Sequence, residues 1–276
     1  MKKENPMKKE ALELFPAPEA GRLFRFIHIS DTHLRSDGSF TGELVRVIEQ
    51  INGSGADFVI HTGDIADDGA IGGLERFMKL VSGLKVPVRC VRGNHELEGE
   101  AGREPGLYQR LVGQPLYYSF QHRGFRFIGL DTAAAEHMGA VSPEQLDWLE
   151  KELAAAGPAF IFAHVPLRRE WDQGPHRWYI TENSERLAAL LEKRPPAAFL
   201  AGHLHWTNVF TRSGPTLHST APSLGGLYNY PNRNGYLVWD VYPDRIIQYY
   251  KYLYLPWEPS IKNVVRLNGS DGTATR

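Results

Sequence analysis

Five short apolar runs recur along the chain, and each has the length of a β-strand that is buried on both faces. The runs are residues 22–30, 57–63, 86–93, 159–164 and 197–203. The amphipathic stretches between them predict helices at residues 41–52, 72–83, 143–156 and 184–193. The third predicted helix has the strongest start signal, because Ser142 can cap it, Pro143 suits its first position and Gln145 completes a capping box.

Two further stretches alternate apolar and polar residues around short turns, which is typical of β-hairpins. They are residues 117–132 and 235–253. Strand–helix units mixed with hairpins predict an α/β (α+β mixed) fold in which two mixed β-sheets pack together and helices lie outside them. Since no repeat or linker divides the chain, we predict one domain over 22–262, a loosely ordered N-terminal segment over 1–21 and a C-terminal tail over 263–276.

Composition and charge exclude several classes of protein. Lysine and arginine number 31 and aspartate and glutamate 32 in 276 residues, so the basic excess that nucleic-acid binding uses is missing. No window approaches the ~20 apolar residues of a membrane helix, and the lysine-rich start lacks the apolar core of a signal peptide. The lone cysteine, Cys90, cannot form an internal disulfide. We therefore predict a cytoplasmic protein without nucleic-acid or membrane partners.

Every predicted parallel strand is followed by residues of the types that bind metal ions. They are Asp31, His33, Asp64, Asn94, His95, His164, His203 and His205. Sites in such sheets form in the crevice outside the carboxyl ends of the strands, where distant loops converge. Imidazole, carboxylate and amide donors without any cysteine suit Mn, Fe, Zn or Co and argue against a structural zinc site. Eight groups exceed the needs of one ion, so the pattern favours two ions about 3.5 to 4 Å apart that share a carboxylate.

Five short motifs occur in a fixed order over residues 26–206. They are "SDTHL", "TGDIAD", "RGNHE", "AHVP" and "GHLH". In this order they resemble the calcineurin-like metallophosphoesterases, most of all the class III cyclic nucleotide phosphodiesterase branch. The stretch "SPEQLDWLEKEL" also resembles a helix of that branch. The resemblance implies a four-layer αββα sandwich, which agrees with the mixed strands and hairpins described above.

The resemblance also implies a role for each motif residue. The first ion would be held by Asp31, His33, Asp64 and His205. The second ion would be held by Asp64, Asn94, His164 and His203, with Asp64 bridging. His95 would lie outside the metal ligands and near the leaving group, with Asp67 orienting its ring, and Asn94 and His95 would face the substrate. Asp68 is the alternative to Asp67 as the orienting carboxylate.

Two cations supply the chemistry that such a site implies. A water held by both ions, which are divalent or of mixed valence, loses its proton near neutral pH and attacks phosphorus in line. His95 would donate a proton or hydrogen bond to the departing oxygen. Protein phosphatases of the superfamily have an arginine soon after the bridging aspartate, whereas this chain reads "GDIADDG".

The missing arginine favours small-molecule phosphodiesters, of the cyclic nucleotide or glycerophosphodiester type, as substrates. Two alternatives stay open: a phosphomonoesterase for nucleotides, sugar phosphates or phosphoproteins, and a non-catalytic scaffold of the same fold. The segments 168–180 and 223–236 are rich in aromatic residues and could either line the site or form plain connections. The aromatic hairpin at 235–253 could lie in the core or at a subunit interface, which leaves an oligomer open.

Overall fold

The computed structural model describes residues 19–67, 69–133, 138–168, 175, 178–206, 208–213, 216–225, 234–253 and 262–267. Its helices are α1 (Thr41–Gly53), α2 (Ile71–Val81), α3 (Asn94–Glu98), α4 (Glu100–Arg103), α5 (Leu107–Val112), α6 (Pro143–Ala154) and α7 (Ser184–Lys193). None of these helices combines the length and the apolar content that crossing a lipid bilayer requires. Four of them, α1, α2, α6 and α7, occupy the stretches in which the sequence predicts helices.

The strands form two six-stranded mixed sheets. They are β1 (Phe24–Ile29), β2 (Phe58–His61), β3 (Val88–Cys90), β4 (Tyr118–His122), β5 (Phe125–Gly129), β6 (Ala159–Phe162), β7 (Ala198–Ala201), β8 (Asn208–Ser213), β9 (Thr216–Thr220), β10 (Gly235–Val241), β11 (Arg245–Tyr252) and β12 (Lys262–Arg266). The first sheet has the order β12-β11-β10-β1-β2-β3, and the second has the order β4-β5-β6-β7-β9-β8. The antiparallel pairs β4–β5 and β10–β11 confirm both predicted hairpins.

Three apolar clusters hold four layers together. One cluster joins α1 and α2 to the outer face of the first sheet, and another joins α6 and α7 to the outer face of the second. The third fills the space between the sheets and is mainly aromatic. Strand β1 serves two of these clusters, since Phe24 and Phe26 point between the sheets while Ile27 and Ile29 point toward the helices. The predicted four-layer αββα sandwich is confirmed.

Two local expectations differ from the structure. Ser142 caps α6 as predicted, since its Oγ accepts the N–H of Gln145 at 3.2 Å. The Gln145 side chain does not close a capping box, because it binds the main-chain N–H and C=O of Asp131 at 2.8 and 2.9 Å. The boundary drawn at 262/263 falls inside β12, which pairs antiparallel with β11. Apolar residues Val264 and Val265 make this last stretch a sheet edge rather than a tail.

Parallel pairing brings the predicted strand ends together. In the first sheet β1 runs parallel to β2 and β2 to β3. In the second sheet β5, β6, β7 and β9 are parallel neighbours. A hydrogen bond of 2.7 Å from His164 Nδ1, after β6, to the carbonyl oxygen of Thr62, after β2, joins the carboxyl edges of the two sheets. Loops from both sheets therefore share one crevice.

Candidate metal centre

Among the described residues the crevice holds three clusters of metal-ligand side chains; one consists of His33, Asp67 and His95, and the other two have Asp64 in common. Of the two that share Asp64, the first consists of Asp31, His33, Asp64 and His205, and the second of Asp64, His164 and His203. In each cluster the ligand atoms lie within 4.8 Å of one another. Asn94 adjoins the second cluster, with its Oδ1 3.0 Å from His164 Nε2. The structure thus brings together the positions that the sequence predicts for two ions, with Asp64 between them.

Five of these residues have a left-handed backbone conformation, which is uncommon for residues other than glycine. Their φ angles lie between 46° and 65°, and they are Asp31, His33, Asp64, His203 and His205. Each follows a strand directly or within a few residues, so the chain turns sharply as it leaves the sheet. Such a turn directs the side chain into the crevice and stores strain of about 1 kcal/mol or more per residue.

Two glycines let the turns approach the carboxylates closely. A Cβ atom on Gly93 would collide with the Asp64 carboxylate, and a Cβ on Gly202 would collide with Ser30 Oγ and the Asp31 carboxylate. The close approach, rather than a special φ angle, requires glycine at both positions. Gly63 differs, since its φ is +93°, a conformation that side chains rarely adopt.

Asp64 is the buried centre of the site. Its Oδ1 accepts the backbone N–H of His95 at 3.0 Å, and its Oδ2 lies 3.3 Å from His164 Nε2 and 3.9 Å from His33 Nε2. Burial alone would raise the pKa of this carboxyl, but the neighbouring imidazoles, His164 first, outweigh burial and hold the pKa well below its usual range. Asp64 is therefore an ionised acceptor that faces both clusters.

The orientation of His164 is set by its backbone contact. Nδ1–H donates to the carbonyl oxygen of Thr62, so Nε2 is the nitrogen that faces Asn94 and Asp64 and that would serve as a ligand once it loses its proton. Burial alone would lower the pKa of this ring, but the Asp64 charge beside it outweighs burial and raises the pKa to about 9. A cation at this place would compete with the proton for Nε2.

In the first cluster, donor atoms face one another across a short gap. His33 Nε2 lies 3.1 Å from His205 Nε2, and Asp31 Oδ1 lies 3.2 Å from the same His205 nitrogen. The backbone N–H of His203 donates to both Asp31 oxygens at 3.2 and 3.1 Å. Nitrogen lone pairs and ionised carboxylates that converge without bulky neighbours form a donor set that fits divalent transition metals.

His95 borders the two clusters and is the most exposed of the predicted site residues around Asp64. Its side chain is 28% exposed, and its Nε2 lies 3.8 Å from Asp64 Oδ2. Asp67, which is expected to orient this ring, has its Oδ1 4.0 Å from His95 Nδ1 and 3.4 Å from His33 Nδ1, so it lies within ion-pair distance of both rings but nearer to His33. The reason lies in the backbone, because Asp67 N–H donates to the Leu34 carbonyl and so lies alongside the loop that carries His33. Asp68, the alternative, lies outside the described residues.

Two charged residues of the site were missed in the sequence. Glu96 is buried and accepts the N–H groups of Asp64, Ala66 and Gly93 at 3.0, 2.9 and 2.7 Å. Burial, followed by the charge of Asp64, raises its pKa to about 7. Arg35 donates from Nε to Asp67 Oδ2 at 2.6 Å. Glu96 ends the motif "RGNHE", so its place beside a ligand was the available signal.

Of the two aromatic segments, only parts are described. Trp178 meets Trp206 edge to face, with ring centroids 5.9 Å apart, and Trp206, which follows His205, is 43% exposed. Tyr179 is buried. The remaining candidates at 169–174, 176–177 and 226–233 lie outside the described residues, so their proposed part in substrate binding stays a prediction.

Residues 24–207 match a protein-family model described as calcineurin-like phosphoesterase. A probable cyclic nucleotide phosphodiesterase of Rhodococcus erythropolis is 31% identical over 206 residues, which cover 68% of this chain and 67% of that protein. A probable glycerophosphodiester phosphodiesterase GpdQ of Arcobacter nitrofigilis is 31% identical over 193 residues, covering 65% and 71%. The 3′,5′-cyclic adenosine monophosphate phosphodiesterase CpdA of Pseudomonas aeruginosa is 29% identical over 207 residues, covering 69% and 72%.

Solved structures show the same fold at low sequence identity. A dimetal phosphatase from Danio rerio matches with a TM-score of 0.69 at 18% identity, over 90% of this chain and 100% of that one. The purple acid phosphatase PPD1 from Lupinus luteus matches with a TM-score of 0.66 at 16% identity, over 91% of this chain and 56% of that one. Together with the sequence matches, these likenesses confirm the resemblance that the five motifs indicated.

Proposed function

This chain belongs to the calcineurin-like phosphoesterases, hydrolases of phosphoric esters, and we propose that it is a dinuclear metal-dependent phosphodiesterase for small molecules. The observation that carries the proposal is the pair of side-chain clusters that share Asp64. A shared carboxylate between two sets of imidazole ligands is the arrangement that two-metal hydrolysis requires. Hydrolysis of cyclic nucleotides or glycerophosphodiesters is the activity for which the similar proteins are named.

We assign the ligands of the two ions as the motifs predict. One ion would be held by Asp31, His33, Asp64 and His205, and the other by Asp64, Asn94, His164 and His203. When bound, the ions would supply Lewis acidity toward the phosphate oxygens and make a water acidic enough to serve as the nucleophile. Manganese, iron, zinc and cobalt all suit these donors. The cytoplasmic location and the oligomeric state stay predictions.

His95 and Asn94 are the proposed contacts to the substrate. The partly exposed His95 ring lies at the open side of the clusters, where its Nε2 can give a proton to a departing alkoxide. Its backbone is held in place because the N–H donates to Asp64 Oδ1 at 3.0 Å. Asp67 supports the site through His33 and Arg35. Its carboxylate lies closer to these two side chains than to His95.

The charges around the site favour a diester over a monoester. Arg92 is bound to Asp131 by two hydrogen bonds of 3.0 and 2.8 Å, and Arg35 to Asp67 by one of 2.6 Å. Both guanidinium groups are thus balanced by carboxylates. A phosphomonoester carries close to two negative charges at neutral pH and a diester only one, so the diester needs fewer free cations. Phosphomonoester hydrolysis is the second candidate function.

The proposal is tested with metal-stripped protein that is reconstituted with Mn²⁺ and assayed on bis(p-nitrophenyl) phosphate and p-nitrophenyl phosphate. We expect a higher kcat/KM for the diester and no turnover before metal is added. A His95→Asn variant is expected to lose about 10²-fold or more in kcat while metal analysis still finds two ions. Preference for the monoester would overturn the diester assignment, and loss of metal in the variant would overturn the role of His95.

A further inference from the structure

A cavity of about 610 Å³ opens directly beside His95 and Asp67. The loop after β1 contributes Ser36 to its wall, the turn after β2 contributes Asp67 and Ala70, and the α3–α4 segment contributes the rest. This volume is within the usual range for small-molecule sites. His95 belongs both to the cavity wall and to the edge of the metal-ligand clusters. A substituent of a phosphate ester bound at those clusters can therefore extend into the cavity.

The wall of the cavity is preformed by backbone packing. Gly69 lies so close to the His95 carbonyl and to Gly99 Cα that a Cβ atom there would collide with both. Gly99 N–H donates to the His95 carbonyl at 3.0 Å, which holds the bend between α3 and α4. Arg76 donates from Nη2 to the Ser36 carbonyl at 3.0 Å on the opposite side.

The described lining residues are mainly polar and include no phenylalanine, tyrosine or tryptophan. Glu98 offers hydrogen-bond acceptors, Arg103 offers donors and Ser36 offers both. Among residues whose side chains the structure describes, neither Glu98 nor Arg103 has an ion-pair partner, so both can bind a ligand. The exposed indole of Trp206 is not among the described lining residues.

Resting on the proposed phosphodiesterase function, we propose that this cavity binds the leaving alcohol of the diester and selects a small polyol over a nucleoside. Hydroxyls on adjacent carbons each donate and accept, which matches a guanidinium, a carboxylate and a serine hydroxyl on one wall. A nucleobase is typically bound by stacking on a large aromatic ring, and the only ring among the described lining residues is the imidazole of His95, which we assign to the leaving oxygen.

The reaction at this subsite is a hydrolysis without any redox change. The oxygen of water forms a new bond to phosphorus, and the bond from phosphorus to the polyol oxygen breaks. One proton of the water passes to that oxygen, so the products are the free polyol and a phosphomonoester. His95, on the shared wall, is placed to deliver the proton.

The test uses the Mn²⁺-loaded protein and glyceryl methyl phosphate, a diester that can release either glycerol or methanol. We expect glycerol to be released in preference to methanol by about five-fold or more, the effect of about one hydrogen bond to the bound group. Arg103→Ala and Glu98→Gln should each reduce this product ratio by about five-fold. Arg110→Ala is the matched control, because Arg110 pairs with Glu104 outside the cavity, and it should leave the ratio unchanged.

Bis(p-nitrophenyl) phosphate, assayed on the same preparations, separates this inference from the proposed function. If it is hydrolysed while glycerol and methanol are released equally, or while Arg103→Ala keeps the wild-type ratio, the polyol subsite is wrong and the phosphodiesterase stands. A higher kcat/KM for 3′,5′-cyclic AMP than for glyceryl methyl phosphate, lowered by Arg103→Ala, would overturn polyol selection in favour of a nucleoside. Hydrolysis of neither diester would overturn both proposals.

Discussion

Strand β1 begins among aromatic rings and leads into a group of carboxylates and imidazoles. Phe26 stacks on Phe58 at 5.3 Å and on Trp239 at 5.6 Å, in a layer where apolar burial and ring contacts both favour the folded state. Two residues beyond the strand, Asp31 is buried with a strained backbone and an ionised side chain.

The difference shows how the protein divides its tasks. Residues of the aromatic layer are held by contacts that stabilise the fold without any ligand, so they can support a rigid scaffold. Residues of the crevice combine buried charge with left-handed backbone, and both features lower stability unless a cation compensates. Short strands connect the two regions, so the stable layer holds the less stable one in its functional geometry.

The largest expected effect comes from Asp64→Asn. The amide retains an oxygen that can accept the His95 N–H but removes the charge shared by the two clusters. We expect Mn²⁺-dependent hydrolysis of bis(p-nitrophenyl) phosphate to fall by at least about 10³-fold. The metal-free chain should lose part of its unfolding free energy but stay folded, because removing one partner of a buried ion pair leaves the His164 imidazole without its carboxylate.

The control for Asp64→Asn is Asp147→Asn, which changes an exposed carboxylate that pairs with Arg186 on the surface. It should leave both activity and stability nearly unaltered. If Asp64→Asn retained activity within ten-fold, or if it unfolded the metal-free chain, the contrast between the crevice and the aromatic layer would be wrong.

Phe160→Ala addresses the other half of the comparison. Phe160 is fully buried and stacks on Phe127 at 4.9 Å between the sheets. Removing the ring should lower the unfolding free energy, measured by urea denaturation, by about 3 to 5 kcal/mol. Turnover per folded, metal-loaded molecule should change little.

The control is Val45→Ala, on the exposed face of α1, which should alter the unfolding free energy by less than about 0.5 kcal/mol. Equal losses in the two variants would contradict this account.

His28 and His61 lie where the two regions meet, and they predict a pH dependence. Burial lowers the pKa of each ring to about 3. In the folded chain they are neutral: His28 Nε2 donates to Thr62 Oγ1 at 2.9 Å, and His61 Nδ1 accepts the Gly63 N–H at 3.1 Å. The unfolded chain binds more protons between pH 3 and about 6.5, so stability decreases as the pH falls through this range.

Each of these two histidines should contribute a slope of up to about 1.4 kcal/mol per pH unit below pH 6.5. His28→Gln keeps a donor for Thr62 but cannot titrate, so its unfolding free energy should decline less steeply from pH 6 to pH 4. Above pH 7.5 the slopes of variant and wild type should agree, which serves as the internal control. If the unfolding free energies of variant and wild type ran parallel across the whole pH range, His28 would not contribute to the pH dependence of stability.

Local sequence patterns were sufficient for the layers of the fold. Runs such as "FRFIHI" are mainly apolar, and all six of these residues are buried, as expected for a strand that is covered on both faces. The five motifs that carry histidine and aspartate indicated the family by their resemblance to it. Each motif lies at the end of a predicted strand, so the grouping of the ligands at one edge could be predicted from the chain alone.

Other features depended on how distant segments meet. Gln145 binds Asp131 instead of closing its own capping box, and Asp67 lies nearer to His33 than to His95. Each outcome depends on which backbone groups are left unpaired once the sheets have packed, and local propensity carries no information about that.

The sequence by itself determined the alternation of strands and helices, the ligand types and the edge at which they gather. Only the tertiary structure decided the support from Glu96, the approach of Asp67 to His33 and the cavity beside His95. The physical reason is range: periodicity and strand ends are properties of neighbouring residues, whereas distances of 3 to 4 Å across the crevice arise from the packing of whole sheets.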